Sequence, residues 1–490
     1  MTGRRRSPSA DPSFPSRPAR PRALRGIPVA VTVTAGALLA SGCGALPGSG
    51  GSRETVTVMT FAPEKTGSTN MPGMPAMAHA YARWVNDGGG IDGHQLRVIT
   101  CNERNTSRGA AACARRAVAE GVDAVVGSYS QHGNAFMSPL EAAGIPFIGG
   151  FGASKEEFRS PLSYPVNGGQ ATLLAGHGVQ LADVCREVAL VRPDSYAGDQ
   201  LAPLLNAGLA EAGNRTTDVL APEDATEYGK AAAEARRTAG TGAGASSASG
   251  TGDAGTGGSD ADGSGTGGSD ADGSGTGGSD ADGSGTGGSD AGGSDDGSRP
   301  GCVTAALGDR TETFFDSFRR LPEDDLGVRV SSVIGSVGQP LIDRTGGPDG
   351  PFEGAYITGW YPAPGDSRWG AMKRVIDEYA FADNRVDPAD AGVQTTWIAY
   401  TVLRSVLEEL DSDDVTPSAV ARSLDDGTRV TTGGLTPELR WEFDDMFGAP
   451  DFPRIVNLRV TFQVVREGRL VAQRKDFVDV SDPLTESVTL

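Results

Sequence analysis

From Thr55 onward the apolar positions change period in a regular order. Val56, Val58 and Phe61 line a period-2 segment, Thr55-Val-Thr-Val-Met-Thr-Phe61, which reads as a strand. Met74, Met77, Ala78, Tyr81, Trp84 and Val85 then recur at helical spacing until Asn86-Asp-Gly-Gly-Gly90 stops the helix. Leu96, Val98 and Thr100 form the next strand, followed by an Ala- and Arg-rich helix over 108–120. A strand at Asp123–Ser128, a helix over 134–143 and a strand at Ile145–Gly149 complete the cycle. Alternation with short connections predicts a parallel sheet with helices on both faces. The cycle restarts at Ala171. It runs as helix to Val184, strand Val188–Val191, helix 197–212, strand Thr217–Leu220 and helix 226–237. Strand Val303–Leu307, helix 311–319 and strand Val328–Ile334 follow. Two successive units of this kind predict an α/β protein of two doubly wound lobes with a cleft between them.

The periodicity is broken at two places. Residues 239–300 are almost wholly Gly, Ser, Thr, Ala and Asp, with Asp-Ala-Asp-Gly-Ser-Gly-Thr-Gly-Gly-Ser beginning at Asp260, Asp270 and Asp280. The repeat suggests a calcium loop, but position twelve of an EF-hand counted from Asp260 is Ala271 where a bidentate Glu is required. No apolar residue follows the Asp to build a β-helix core. The tract reads as a disordered acidic insertion. At the other break, seven Arg precede an uncharged run from Ile27 to Ala40, and Ser41-Gly42-Cys43 follows. This is the pattern of an export signal, and its apolar run of about 14 residues is shorter than the ~20 needed to span a bilayer. Ala40-Ser-Gly-Cys43 resembles the lipobox of bacterial lipoproteins, with Ala40 where Leu is preferred. Residues 1–42 are therefore expected to be a signal peptide, Cys43 the lipidated mature N-terminus, and 43–54 a flexible tether.

The chain of 490 residues carries a net charge of −20, and removal of the Arg-rich leader leaves it more acidic still. No basic stretch in the remainder offsets repulsion from phosphates, so a nucleic-acid partner is not expected. With Cys43 acylated, four cysteines remain, and an even number in an exported chain points to two disulfides. There is no Cys-x-x-Cys and there are four His, so neither a metal nor a cofactor is expected. Gly-x-Ser-x-Gly before a helix, a phosphate loop and a dinucleotide fingerprint are all missing, and no residue stands out as catalytic.

Asn86-Asp-Gly-Gly-Gly-Ile-Asp-Gly-His-Gln-Leu96 resembles the N-x-x-GGI-x-G-x-x-L run of branched-chain-amino-acid-type periplasmic binding proteins. Val125-Val-Gly-Ser-Tyr-Ser130 with Pro139–Pro146, Gly152-Ala-Ser-Lys-Glu-Glu157, Tyr196-Ala-Gly-Asp199 and Trp397-Ile-Ala-Tyr400 are similar to further landmarks in the same order. The resemblance spans residues 55 to about 465. It implies the type I periplasmic binding fold, with a first lobe of 55–165 and 362–430 and a second of 166–361 and 431–490. Three crossovers near 160–167, 356–363 and 429–434 would join them.

In such sheets ligands bind at the carboxyl ends of strands, here Pro63–Thr69, Tyr129–His132, Phe151–Lys155, Ser195–Gly198, Asp309–Thr311 and Gly335–Val337. Relative to the amino-acid binders, Gln131 falls at a Ser position and Ser154 at a Thr position. Tyr196 matches a contact tyrosine, whereas Asp309-Arg310 and Gly335-Ser336 replace the acid and tyrosine that hold the ammonium group. The expected ligand set is Tyr129, Ser130, Gln131, Gly152, Ala153, Ser154, Tyr196, Asp309, Arg310 and Ser336.

The fold implied by the resemblance places Cys185 and Cys302 before neighbouring strands of a 2-1-3-4-5 sheet, so pairing 185–302 and 101–113 is expected. The insertion would occupy an αβ connection on the face opposite the cleft. The resemblance further implies a monomeric solute-binding lipoprotein on the extracellular face of the membrane. It would capture a small polar molecule, an amino acid or similar, by lobe closure and pass it to the permease and ATPase of an ABC importer. A ligand-sensing lipoprotein serving a signalling partner is the alternative. A surface hydrolase, more remote, would need a catalytic constellation.

Overall fold

The computed structural model describes residues 54–67, 69–222, 225–241, 299–322 and 327–488; the leader, nearly all of the tether and 242–298 of the insertion lie outside them. The first sheet is laid down as β1 (Val56–Ala62), α1 (Gly73–Asp87), β2 (Leu96–Asn102), α2 (Ser107–Glu120), β3 (Ala124–Val126), α3 (Gly133–Ala143), β4 (Phe147–Ile148) and β5 (Ser163–Tyr164). The second begins with α4 (Gly169–Val184), β6 (Val188–Pro193), α5 (Tyr196–Asp199), α6 (Leu201–Leu209), β7 (Thr216–Ala221) and α7 (Gly229–Thr241). It continues with β8 (Cys302–Ala305), α8 (Thr311–Arg319), β9 (Arg329–Val333), α9 (Gln339–Arg344) and β10 (Tyr356–Gly359). Helices α10 (Gly370–Tyr379), α11 (Ala391–Leu410) and α12 (Pro417–Asp425) follow, then strands β11 (Arg459–Arg466), β12 (Arg469–Ala472), β13 (Val478–Asp479) and helix α13 (Ser481–Val488).

Strand order is β2-β1-β3-β4-β5 in the first sheet, all parallel. The second reads β7-β6-β8-β9-β10 in parallel, the same 2-1-3-4-5 pattern. β11 and β12 extend it antiparallel, an addition to the purely parallel lobe expected. The turn at Glu467-Gly468 between them makes the hairpin cheap, since Gly468 adopts φ +68°. Local chemistry sets the helix ends: Thr106 Oγ1 accepts the Gly109 N–H at 3.0 Å to start α2, and Gly121 at φ +62° ends it. The single helix expected over 197–212 is broken at Gln200. Pro203 has no N–H to give the Asp199 carbonyl, so α6 must start afresh with that proline in its first turn.

α11 lies across the first sheet. A Cβ at Gly149 would stand 2.3 Å from Ala399 Cβ, so only glycine admits the helix at this distance. Trp84 and Trp397 stack at 5.6 Å, Tyr81 packs on both, and Tyr400 Oη and Thr60 Oγ1 are 2.8 Å apart. On the second sheet α4 is buried along most of its length. Its His177 sits between Thr358 Oγ1 at 3.0 Å and Thr304 Oγ1 at 3.2 Å, tying helix to β8 and β10.

The passages between the sheets meet at one residue. Asn167 Nδ2 donates to Tyr361 Oη at 3.1 Å, and Tyr361 Oη lies 3.1 Å from Thr395 Oγ1. Thr461 Oγ1 and Gln463 Nε2 donate to the Tyr361 carbonyl at 2.7 and 2.9 Å. The third passage was expected at 429–434, but the chain stays on the first sheet longer. Trp441 Nε1 donates to the Pro165 carbonyl at 3.1 Å, Arg454 Nε to the Ser163 carbonyl at 2.9 Å, and Asn457 Nδ2 to the Val166 carbonyl at 3.1 Å. Burial of Trp441 against Tyr164 is what holds this stretch back. Disulfides join Cys101 to Cys113 and Cys185 to Cys302, with Cα atoms 5.7 and 5.8 Å apart.

Burial depresses the His177 pKa from 6.5 to about 3. Between those values the unfolded chain binds the extra proton, so stability is full above pH 6.5 and falls as pH drops through the window, by about 1.4 kcal/mol per pH unit. His177→Gln, which can still hydrogen-bond but does not titrate, should flatten this slope when urea unfolding is compared at pH 4.5 and 7.

Candidate functional site

The carboxyl ends of both parallel sheets face a cleft of about 940 Å³. From the first lobe it is lined by Thr69, Asn70 and Met71 after β1, Gln131 after β3, Phe151 after β4, and Asp390 at the start of α11. From the second come Pro193 after β6, Leu307 and Arg310 after β8, and Ile334, Gly335 and Ser336 after β9. Glu312, Leu341 and Arg344 line it further out. The loop after β1 is shaped by its own polar groups. Asn70 Oδ1 accepts the Thr66 N–H at 2.7 Å, Asn70 Nδ2 donates to the Thr66 carbonyl at 3.1 Å, and Met71 N–H reaches the Pro63 carbonyl at 2.8 Å.

Phe151 crosses the cleft. Its ring packs on Tyr129 at 5.1 Å and edge-on to Trp360 at 5.2 Å, and its Cζ lies 3.6 Å from where a Gly335 Cβ would stand. Gly335 adopts φ +93°, a conformation other residues rarely take, and the missing side chain admits the ring. Trp360 is fixed in turn by Nε1 donating to the Gly169 carbonyl at 2.9 Å.

The charges in the cleft are unequal in their commitments. Arg344 pairs with Glu312 at 3.0 Å. Asp390 caps α11, accepting the Val393 N–H at 3.0 Å, so its charge faces the helix N-terminus; removal from water raises its pKa and that hydrogen bond opposes the rise. Arg310 makes no ion pair among the described residues; its Nη1 reaches only the Ala225 carbonyl at 3.5 Å. The cleft thus holds one guanidinium without a carboxylate, set among Phe151, Met71, Ile334 and Leu341.

Of the sequence-derived set, the structure gathers Gln131, Arg310 and Ser336 on this cleft. Gly152, Ala153 and Ser154 line a separate crevice of about 230 Å³, facing Gln200, Leu201 and Leu204 of the second lobe. The Ser154 hydroxyl donates to Glu157 Oε1 at 3.0 Å, and Glu157 also accepts the N–H groups of Gly152 and Ser154 at 3.0 and 2.9 Å. Burial pushes the Glu157 pKa up to about 7, against these hydrogen bonds. Ser130 is buried, donates to Glu103 Oε2 at 3.4 Å and accepts the His132 N–H at 3.1 Å. Tyr129 is buried behind the cleft, its hydroxyl accepting from Gln131 Nε2 at 3.0 Å. Tyr196 opens α5 and Asp309 lies in the turn before α8; their side chains are outside the described set. Asn70, Met71, Asp390 and Arg344 were missed. The strand-end rule points to the loop holding the first two, while Asp390 and Arg344 arrive from helix starts and ends that periodicity alone does not bring to the cleft.

A family model described as "Periplasmic binding protein" matches residues 64–448. Among solved structures, the chain is similar to a solute-binding protein of an ABC transporter from Rhodopseudomonas palustris BisB5 in complex with 3,4-dihydroxybenzoic acid. The two share 12% identity and a TM-score of 0.60, over 87% of this chain and 98% of that one. A fatty acid ABC transporter substrate-binding protein from Thermomonospora curvata has 12% identity and a TM-score of 0.59, over 87% and 94%. A leucine-binding protein from Thermotoga maritima MSB8 has 14% identity and a TM-score of 0.57, over 86% and 98%. At such identities the likeness is one of fold. No curated protein matches in sequence.

Because the Phe151 ring links Tyr129, Trp360 and Gly335, Phe151→Ala should destabilise the protein by about 3 kcal/mol in urea unfolding and shift the tryptophan emission. Unchanged stability would mean the ring contributes nothing to holding the lobes together.

Proposed function

The chain belongs to the periplasmic binding protein family, and from that premise we propose that it is the solute-capturing subunit of an ABC importer, exported and held to the membrane by lipid on Cys43, with a small carboxylate as its ligand. The observation that carries the ligand class is Arg310, the cleft cation without an ion pair among the described residues. A guanidinium facing a desolvating, partly apolar cleft recognises a carboxylate through charge-assisted hydrogen bonds. Phe151, Met71, Ile334 and Leu341 suit an apolar body, and Asn70, Gln131 and Ser336 supply orienting polar groups. Glu312 and Asp390 are occupied by Arg344 and the α11 N-terminus, which leaves no free acid to receive an ammonium group. This favours an organic acid over an amino acid, and the relatives crystallised with 3,4-dihydroxybenzoic acid or named for fatty acids are consistent with it.

Binding would close the lobes about the passages that meet at Tyr361, trapping the ligand and presenting the closed form to the permease. The lipid on Cys43 would keep that exchange at the membrane; a single acyl chain holds only marginally, so the multiple chains of a lipoprotein are needed.

Calorimetric titration with benzoates, medium-chain fatty acids and leucine should find affinity for acids and little for leucine. Arg310→Gln should weaken the acid by about ten- to a hundredfold. Amides binding as tightly as the matching acids would overturn the carboxylate assignment. Detergent partitioning tests the anchor: the protein expressed in a bacterium should enter the detergent phase and Cys43→Ser should stay aqueous. If both stay aqueous, Cys43 carries no lipid.

A further inference from the structure

The end of the second lobe opposite the cleft carries a second large cavity, of about 880 Å³, at the amino ends of β8 and β9. Its charged lining is Arg186, Arg236, Arg299, Arg319 and Arg329 against one acid, Glu353. That acid is committed, its two oxygens accepting the N–H groups of Glu467 and Gly468 at 2.9 Å each. Arg319 pairs with Asp316, and Arg236 lies over the Phe318 ring at 4.8 Å while donating to the Phe318 carbonyl at 3.2 Å. Arg186 and Arg329 make no ion pair among the described residues. Arg186 Nη2 reaches the Gly240 carbonyl at 3.0 Å, and its Nε is buried with no partner. Arg329 Nη1 reaches only the Gly354 carbonyl, at 3.4 Å. Clustered guanidinium groups repel one another, so this arrangement is stabilised by whatever anion enters it.

The chain leading into and out of the insertion forms the rim of the same cavity. Gly240, Arg299 and Pro300 all line it, and the Arg186 N–H donates to the Pro300 carbonyl at 2.9 Å. Residues 242–298 thus depart from and return to the cavity mouth, and they contain ten Asp and no Lys or Arg. We propose that this acidic insertion is the cavity's own ligand, its aspartates docking on the cluster that includes Arg186 and Arg329. Tethering at both ends sets an effective concentration on the order of millimolar, so weak, interchangeable carboxylate contacts suffice and no single Asp need be fixed. The repeat supplies many equivalent carboxylates in place of one well-placed acid. The cavity is then closed to other polyanions at low ionic strength and opens to them as salt rises.

The test uses the intact protein and an endoproteinase that cleaves before Asp, which can act at many points within 242–298. At low salt, cleavage of this tract in the wild type should be slower than in Arg186→Gln/Arg329→Gln by about threefold or more, and the difference should vanish at 0.5 M salt. Arg329→Gln alone, a change at an exposed residue, gives a second reading should the double variant fold poorly, and thermal midpoints report on folding directly. Added polyaspartate should accelerate wild-type cleavage by displacing the tract. Equal rates in wild type and variants at low salt would overturn the proposal. So would protection that disappears on dilution, which would assign the cavity to the tract of a second copy. Protection unaffected by polyaspartate or by salt would likewise count against it. Ligand affinity at the cleft should be unchanged throughout, so failure here leaves the carboxylate assignment untouched.

Discussion

Parallel pairing of β1 with β2 and β3, and of β6 with β7 and β8, obliges the chain to return through a helix to the same edge before each new strand. Every βα loop therefore opens at one end of a sheet and every αβ connection at the other. The two sheets turn their carboxyl ends toward each other, and so Asn70, Gln131 and Phe151 meet Arg310 and Ser336 across the cleft. The same polarity sends the α7–β8 connection to the far end, where an insertion of any composition stays clear of the ligand. Cleft and arginine cavity are thus opposite ends of one directional sheet.

Within this frame the two lobes are held by different means. The first is closed by aromatic packing of α1 and α11 over β1 and β3, with Tyr81, Trp84, Trp397 and Tyr400 in contact. In the second, polar groups are buried with the helix that crosses it: His177, Thr304 and Thr358 join α4 to the sheet, and Gln180 Nε2 donates to the Gln463 carbonyl at 3.0 Å. Buried polar contacts of this kind are directional, and fix the register of α4 on the sheet in a way apolar contact alone would not. Between the lobes, Tyr361 gathers bonds from each passage at one point, leaving rotation about it as the least costly motion. Phe151, resting on a glycine, gives the approaching surfaces a contact that carries little steric penalty.

Much of this was legible in the alternation of periods. The strands and helices of the first lobe lie within a residue or two of their sequence-derived limits, because each is a complete amphipathic unit with its own stop signal, such as Asn86–Gly90 or Gly121. The 185–302 bridge also followed once the strand order was accepted. The cleft was legible only at the level of loops. Whether a given side chain faces the ligand depends on partners distant in sequence: Ser130 is taken by Glu103, and Asp390 reaches the cleft from the start of α11. Ser154 is taken by Glu157, a capping-box pair visible as spacing but not as a competitor for the ligand. The antiparallel edge was hidden for another reason. Residues 459–466 are buried along nearly their whole length, so they lack the alternation that marks a half-exposed strand.

The disulfide between Cys185 and Cys302 and the Arg186–Pro300 hydrogen bond fasten the point where the insertion rejoins the sheet. The geometry of β8 is consequently set by α4 and β6, and does not depend on how many residues separate Thr241 from Arg299. For a gene, such an arrangement is permissive. A tandem repeat encoding ten residues is prone to gain or lose copies during replication, and here each such event leaves the reading frame, the core and the cleft intact. Selection on the tract would then act on its charge and hardly at all on its length, and populations of this bacterium should carry alleles that differ in repeat number while the flanking cysteines stay the same.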